Sequence, residues 1–545
     1  MTVIDFIGRE KELDALEREY SKPGFGMFVL YGRRRVGKST LIRRFISDKR
    51  AVHVTGVKSD YRRNVMALRA SVPERYRSST EMTPEDVLGA WASMSSDGRL
   101  VVVIDEYPYL ANAFPSFSSV LQNHIDDVLS GCDVFIILCG SSIGAMEDGV
   151  LGYESPLYGR RTSQMLMAPL TYLEAVPFLK GFDRSECLRI YSMVGGIPAY
   201  LLMFDPSKGI DRCIADLFLS DTAFFRMEPE YMLREELRDP SSYSSVIAAM
   251  ASGKFRLSEI ADEASMDSAA ASAKLSQLMR LHIVEKVVPY GEKSGRKTGY
   301  RLADNMFRFC YRFIIGSYVP FTQEEEASSL RRIENGMPAY MGRVFEDVCR
   351  TYTRRNLGCN AVGTWWGADP ATRSSAEIDV VGYDIDDPDA PVLFGECKCT
   401  RSPVTIDVLD DLMKASLLVR CRERRYVLFS AGGFSEKVVE ASEKGPVTLV
   451  SMDDLYSGRR CVRGACPSKV YYLERYSRLW FPRARSTRFW TATTPATSRS
   501  PRCARIHRSR SSTAPGRWGS RRWASPSPTA RSTTTPSPWP SPTRS

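Results

Sequence analysis

Phe28-Val-Leu-Tyr-Gly-Arg-Arg-Arg-Val-Gly-Lys-Ser-Thr40 is the stretch that decides the fold of this 545-residue chain. An apolar, strand-like run leads into Gly32-x4-Gly37-Lys38-Ser39, and a helix-like segment from Leu41 to Phe45 follows. A glycine-framed turn between strand and helix lets successive backbone N–H groups curl around a triphosphate, with the helix N-terminus aimed at it. The cradle would be Gly32, Arg33, Arg34, Arg35, Val36, Gly37, Lys38, Ser39 and Thr40. Lys38 would neutralise the β and γ oxygens, and the Ser39 hydroxyl would ligate Mg²⁺. The reading implies ATP and Mg²⁺ as cofactors; a chance Gly-Lys-Ser turn fits this strand-and-helix context poorly.

A second stretch strengthens the first. Leu100-Val-Val-Val-Ile-Asp105-Glu106 is an unbroken apolar run ending in two carboxylates, the Walker B pattern. Continuous hydrophobicity suits a central parallel strand covered on both faces. Asp105 would hold the metal through water, and Glu106 would polarise the attacking water. The plainer alternative is a strand with acidic residues at its exposed end. Glu106 argues for hydrolysis as well as binding, because binding needs only the aspartate.

Length predicts three to four domains, each able to bury its own core. The runs Val101–Ile104 and Val134–Cys139 fall far short of the ~18–20 residues a membrane-spanning helix needs. The N-terminus has no basic stretch followed by an apolar one, so no secretory signal is read there. Thirteen scattered cysteines suggest a reduced, cytoplasmic protein. Cys397 and Cys399 flank Lys398 on a predicted strand and do not read as a metal site.

The net charge of +11 is unevenly placed. Residues 475–545 hold 15 Arg and no Lys, Asp or Glu, which leaves 60 basic against 64 acidic side chains in residues 1–474. This tail of Ser, Thr, Pro, Arg, Ala and Trp lacks hydrophobic periodicity, so it reads as disordered. It is either a basic arm for nucleic acid or an out-of-frame translation of GC-rich DNA. The absence of Lys favours the second, and the basic pI carries no functional argument.

The predicted elements alternate. Strands are expected at Phe28–Tyr31, Ala51–Thr55, Leu100–Asp105, Val134–Cys139 and Gln164–Met167, with helices at Asp86–Met94 and Val120–Leu129 between them. That order implies an α/β fold with a parallel sheet covered on both faces. Ser141 and Ser142 end the fourth strand, where a polar γ-phosphate sensor or a simple turn would sit.

Five motifs recur together: Phe6-x-Gly-Arg-Glu-x-Glu-Leu, the triple-arginine P-loop, Ile-Asp-Glu-Tyr-Pro-Tyr-Leu110, Leu157-Tyr-Gly-Arg-Arg161 and Gly195-Gly-Ile-Pro-Ala-Tyr-Leu201. Over about residues 1–230 the chain resembles the archaeal-type ATPase family, a branch of the AAA+/STAND-like P-loop ATPases. The resemblance implies that Gly8-Arg9 borders the adenine and that Gly195-Gly-Ile-Pro198 opens a helical lid. It also makes Arg160 or Arg161 the transition-state arginine, against the alternative of a solvated turn.

Residues 240–315 read as a winged helix. Helices are expected at Ser244–Met250, Leu257–Ala264 and Ser268–Leu281, with a wing from Ile283–Val288 and Gly299–Leu302. The third helix offers a duplex only Lys274 and Arg280, and the wing tip adds Lys293, Arg296 and Lys297. Both DNA contact and a packing role stay open, with packing slightly ahead.

Residues 336–455 hold a second constellation. Glu346 lies on a helix, Asp379 on the strand Ala376–Tyr383, and Glu396 and Lys398 on the returning strand, where i and i+2 share a face. Carboxylates and a lysine gathered so suit a divalent cation held by oxygen, with the lysine holding or activating a water. The set resembles the PD-(D/E)XK nuclease superfamily, Asp379 and Glu396-Cys-Lys398 matching its motif and Glu346 its helical glutamate. The helix Val404–Ser416 lacks the Gln many relatives carry. The resemblance implies an α/β restriction-endonuclease-like domain, with Glu346, Asp379 and Glu396 on Mg²⁺ or Mn²⁺ and Lys398 catalytic.

Two classes of function follow. One is an ATPase coupled to metal-dependent cleavage of DNA or RNA; the other is an ATP-driven switch or scaffold, able to form a homo-oligomer, with a degenerate nuclease-like domain. A transcriptional regulator is disfavoured by the near-neutral body of the chain.

Overall fold

The computed structural model describes residues 6–295, 297–316, 322–370 and 372–457, which fall in one unit. The tail of residues 475–545 and Arg296 of the expected wing tip lie outside the described residues.

Five parallel strands carry the N-terminal sheet: β1 Gly26–Tyr31, β2 Ala51–Thr55, β3 Leu100–Asp105, β4 Val134–Gly140 and β5 Ser163–Leu166, in the order β2-β3-β4-β1-β5. Every residue of β1, β3 and β4 is buried, whereas the edge strands β2 and β5 carry exposed positions. The apolar runs are therefore the three central strands, as two covered faces require. The helix Lys38–Ile46 starts at Gly37, whose φ of 104° only glycine adopts without strain, and buries Leu41, Ile42 and Phe45. Helices Pro84–Ser95 and Phe117–Asp127 begin two and three residues before the sequence reading placed them at Asp86 and Val120. Pro at N1 and a Thr83–Asp86 capping box set the first of these starts.

Beyond β5 the chain is helical. Arg184–Val194, Pro198–Leu201 and Phe224–Glu236 form a cap beside the sheet. Between the first two, the Gly196 carbonyl accepts from Leu170 N–H at 2.7 Å, and a Cβ on Gly196 would lie 1.8 Å from the Leu170 carbonyl oxygen. Three helices follow, Pro240–Ala251, Leu257–Glu263 and Ser268–Arg280, then an antiparallel hairpin of β6 Val284–Val287 and β7 Gly299–Leu302.

The 34-residue helix Gln323–Asn356 opens on a Thr322–Glu325 capping box and runs through Pro338. Ile333, Met337, Tyr340, Val344, Val348 and Tyr352 form its buried stripe. It packs on a second, mixed sheet ordered β12-β11-β10-β9-β8, with β8 Ala361–Ala368, β9 Ser375–Tyr383, β10 Val392–Lys398, β11 Arg424–Ser430 and β12 Val447–Ser451. Strands β8, β9 and β10 pair antiparallel, and β10, β11 and β12 pair parallel. The sequence reading named only β9 and β10 of these five and saw only one stretch of the long helix. One apolar cluster joins this helix to Tyr172 and Leu188 of the N-terminal part; another lies under the helix Ile406–Ser416. Among the described residues no helix is long and apolar enough to cross a membrane.

Gly196→Ala should cost about 3 kcal/mol, since its methyl group meets backbone that cannot withdraw. Thermal unfolding of the full chain should show the loss, and a melting temperature equal to the parent's would refute the steric reading.

Candidate functional site

The turn after β1 is a closed loop with its lysine folded inward. Lys38 Nζ donates to the carbonyls of Gly32 at 2.6 Å and Arg33 at 3.0 Å. Burial lowers its pKa, opposed by the nearby Cys139, Glu106 and Asp105. Ser39 Oγ donates to Asp105 Oδ2 at 3.1 Å across the gap between helix and strand. Burial alone would raise the Asp105 pKa, but His53, 3.8 Å away, Cys139, and hydrogen bonds from the Ser39 hydroxyl and the Glu106 N–H overcome it and hold the value at about 2. A hydroxyl beside a firmly ionised carboxylate, at the mouth of a loop of backbone donors, fits Mg²⁺ that keeps water and phosphate as its other ligands.

Parallel register sets this meeting. Tyr31 pairs with Gly140 and Ile104 with Leu138, so β1, β4 and β3 end level and deliver the loop, Ser141 and Asp105-Glu106 to one edge. Glu106 has φ 50° and ψ 45°, a left-handed backbone uncommon outside glycine. Its Oε2 accepts from the Ser141 N–H at 3.2 Å and the Ser141 hydroxyl at 2.8 Å. Ser142 instead caps the short helix that follows and donates to Glu236 at 2.9 Å. Glu236, pushed up by burial, comes from the end of the helix Phe224–Glu236.

The three loop arginines point away from the cradle. Arg33 pairs with Asp304 and lies over the rings of Tyr200 and Phe307 at 5.6 and 5.8 Å. Arg34 pairs with Glu235 at 3.0 Å and donates to the Tyr109 hydroxyl at 3.3 Å. Arg35 pairs with Glu228, a buried carboxylate that also accepts from Tyr200 at 2.6 Å. These side chains fasten the loop to the helical cap, and only their backbone is left to the cradle. Val36 is fully buried and Thr40 is exposed. Arg9 holds the loop from behind through Val36 O at 3.2 Å and Ala168 O at 2.8 Å.

Arg160 departs from the sequence expectation. It grips Asp126 at 2.8 Å, and Thr162, two residues on, pairs with Met27 where β1 begins. That edge of the sheet is opposite the cradle, so within one chain Arg160 does not reach a phosphate. Arg161 lies over the Tyr158 ring at 5.7 Å and acts electrostatically on the Tyr31 hydroxyl.

The second constellation assembles around an irregular strand. From Gly363 to Trp365 on β8 the partner residues on β9 run from Val381 to Ile378, so β9 carries one extra residue there, a bulge holding Asp379. Asp379 Oδ2 accepts from the Cys397 N–H at 2.9 Å, and Lys398 Nζ donates to Glu396 Oε1 at 2.7 Å. Glu346 is pushed up to about 7 by burial and then by Asp379. Glu396 also reaches about 7 from burial and Asp379, and burial raises Asp379. Lys398 is partly buried, but Glu396 keeps it protonated above its ordinary value. Asp379 therefore acts electrostatically on both glutamates. Among the described residues, however, no three His, Cys, Asp or Glu stand close enough to hold a metal ion, because Asp379 is turned to Cys397 and Glu396 to Lys398. Glu346, Asp379 and Glu396 are not a preformed metal cluster.

Sequence reasoning missed His53, Cys139, the lid glutamates, Asp347 and Arg350. His53 and Cys139 lie on strands whose place beside β3 sequence order alone does not give. Arg350 carries a signal, since Glu346 and Arg350 are an i, i+4 pair on one helix face at 3.6 Å.

Residues 6–204 match the family of ATPase domains predominantly from Archaea, and residues 310–407 match a family of archaeal and bacterial proteins of unknown function. An uncharacterized protein of Methanocaldococcus jannaschii is 27% identical over 462 residues, covering 82% of this chain and 99% of that protein. An uncharacterized ATP-binding protein of the same organism is 42% identical over 48 residues, 9% of this chain and 81% of the relative. Among solved structures, the Walker-type ATPase of Pyrococcus abyssi has 22% identity and a TM-score of 0.43, covering 56% of this chain and 96% of that one. The N-terminal part of this chain is thus similar to a family of ATPase domains, and its five-stranded parallel sheet fits that of a P-loop ATPase.

The raised carboxyls predict a pH signature. A group whose folded pKa is near 7 and unfolded pKa near 4.5 binds more protons when folded, so stability falls as pH rises through that window. Glu346→Gln should stabilise the protein by on the order of 2 kcal/mol at pH 8 and by little at pH 4.5. Thermal unfolding at the two pH values measures this, and equal effects at both would refute it.

Proposed function

We propose that this chain is an ATP-hydrolysing protein whose ATPase domain is coupled, through a winged-helix module, to a metal-dependent nuclease-like site acting on nucleic acid. The observation that carries the ATPase half is the meeting of Lys38, Ser39, Asp105 and Glu106 at one sheet edge. Bound Mg²⁺ supplies charge neutralisation to the phosphates. Ser39 and Asp105 would hold it, Lys38 would turn from the loop carbonyls to the β and γ oxygens, and the loop N–H groups would orient the chain of phosphates. Glu106, released from Ser141, orients and deprotonates the attacking water. Ser141 is then free to sense the γ-phosphate position.

For the second site, the support is three carboxylates and one lysine gathered at the β9 bulge, where burial and Asp379 raise the glutamates despite Lys398 and Arg350 beside them. Carboxylates that repel one another in a buried place invite a cation, and oxygen donors suit Mg²⁺ or Mn²⁺. Glu346, Asp379 and Glu396 would turn toward it; Lys398, kept as an ammonium, would orient water and stabilise negative charge rather than act as a base.

The alternative reading, an ATP-driven switch or scaffold, is favoured by one group of contacts. Lys274 donates to Ser242, Arg280 binds Glu147 and Asp148 of the ATPase domain, and Tyr290 N–H bonds Thr364 O of β8. The third helix of this module thus spends both of its basic residues on contacts within the chain, while Lys293 and Lys297 at the wing tip stay exposed.

Lys38→Ala should abolish ATP binding, and Glu106→Gln should keep binding while slowing hydrolysis at least about 100-fold. Calorimetry and phosphate release separate the two; hydrolysis at the parent rate in Glu106→Gln would overturn its role. Asp379→Ala should remove Mn²⁺-dependent cleavage of DNA or RNA and leave ATP turnover within about twofold of the parent, since the sites use separate side chains. Parent protein that cleaves neither polymer would decide for the scaffold.

A further inference from the structure

Asp379 owes its aim to a place where the sheet ladder fails, and one side chain occupies that place. Pairing of β9 with β10 runs from Gly382–Leu393 to Val380–Gly395 and stops before Asp379. On the other side, the β8–β9 register slips between Gly363 and Trp365. The Asp379 carbonyl, denied a strand partner, accepts from Arg350 Nη1 at 2.7 Å. The guanidinium also donates to Asp347 Oδ1 at 2.6 Å and stands 3.6 Å from Glu346. Its planar fork therefore touches the helix carboxylate and the bulge backbone together, as an ammonium could not.

Asp347 in turn is shared. Arg301 of β7, at 3.2 Å, and Arg350 share its Oδ1, while Arg308 faces Oδ2 at 3.5 Å. The module of three helices and hairpin that supplies Arg301 is docked on β8 through Tyr290 N–H to Thr364 O at 2.9 Å and through the edge-to-face pair of Phe255, which precedes its second helix, and Trp366. The same module is held to the ATPase domain by Arg280. A continuous set of contacts thus runs from the segment after Ser142 to the backbone of Asp379.

We propose that Arg350 is a positioning residue of the carboxylate site, holding the bulge that aims Asp379, and that Asp347 and Arg301 tie this hold to the hairpin. The proposal rests on the reading of that site as metal-binding. Arg350 touches no reacting atom. It fixes where the Asp379 carboxylate stands, and Arg301 makes that position answer to the docking of the hairpin.

Charge and geometry predict opposite signs, which makes the test decisive. Arg350→Gln removes a positive charge beside the carboxylates, so charge alone would tighten a divalent cation. Loss of position would weaken it, about tenfold or more for a residue that orients metal ligands. Mn²⁺ calorimetry on the full chain without nucleotide should show weakening in Arg350→Gln and in the charge-preserving Arg350→Lys. Arg301→Gln should weaken Mn²⁺ about threefold and speed amide exchange across residues 376–383, with ATP turnover as the control for folding. Mn²⁺ bound as tightly or more tightly by Arg350→Gln overturns the positioning role, and parent-like exchange in Arg301→Gln overturns the hairpin link. If Arg350→Gln loses ATP turnover, Arg350→Lys decides in its place. If the parent binds no Mn²⁺, the metal reading falls by itself, and exchange at residues 376–383 in the Arg350 variants alone decides the positioning role.

Discussion

Everything in the N-terminal half depends on three parallel strands ending level. With β4 inserted between β1 and β3, the phosphate loop and the acidic strand end are held one strand apart, and the residue after β4 lands between them. This spacing lets Ser39 touch Asp105 while Ser141 touches Glu106. A one-residue slip in either pairing would turn Asp105 or Glu106 to the opposite face of the sheet. The full burial of β1, β3 and β4 is what forbids the slip.

Charge is used in this protein mainly to join parts. The arginines of the phosphate loop, which sequence invites one to place on phosphate, hold Asp304, Glu235 and Glu228 instead. These pairs cross from the loop to the helical cap and to the helix after the hairpin. Pairs with one side well buried lose much if broken, because the remaining charge is stranded. The loop's orientation is therefore tied to the cap. The same habit recurs at Asp347, where three arginines meet beside the second carboxylate set.

The two sites differ in how far they were legible. Gly32-x4-Gly37-Lys38-Ser39 and the Asp105-Glu106 pair were readable because their function is local: a turn, a helix N-terminus and a strand end fix each group. The hairpin of Asp379 and Glu396-Cys397-Lys398 was readable as a pair of strands, and the helix bearing Glu346 as a helix. The bulge was not, because it arises from a mismatch with β8, a strand the sequence reading did not name. Arg160 was misplaced for a related reason. The family resemblance implied a transition-state role against the alternative of a solvated turn, but β5 runs parallel to β1, so the residues that lead into it lie at the far edge of the sheet.

The sequence by itself determined the strand–loop–helix cradle, the acidic strand end, the α/β alternation, the three helices with a hairpin, and the carboxylate-lysine hairpin. Each of these is written in periodicity or in residues within a few positions of one another. Tertiary structure alone decided that His53 and Cys139 flank Asp105, that Glu106 rests on Ser141, and that the loop arginines turn to the cap. It also decided that Arg350 grips the Asp379 carbonyl and that the hairpin packs on β8. All of these join residues far apart in the chain, and strand order, register and one inserted residue set them, quantities that no local pattern of side chains encodes.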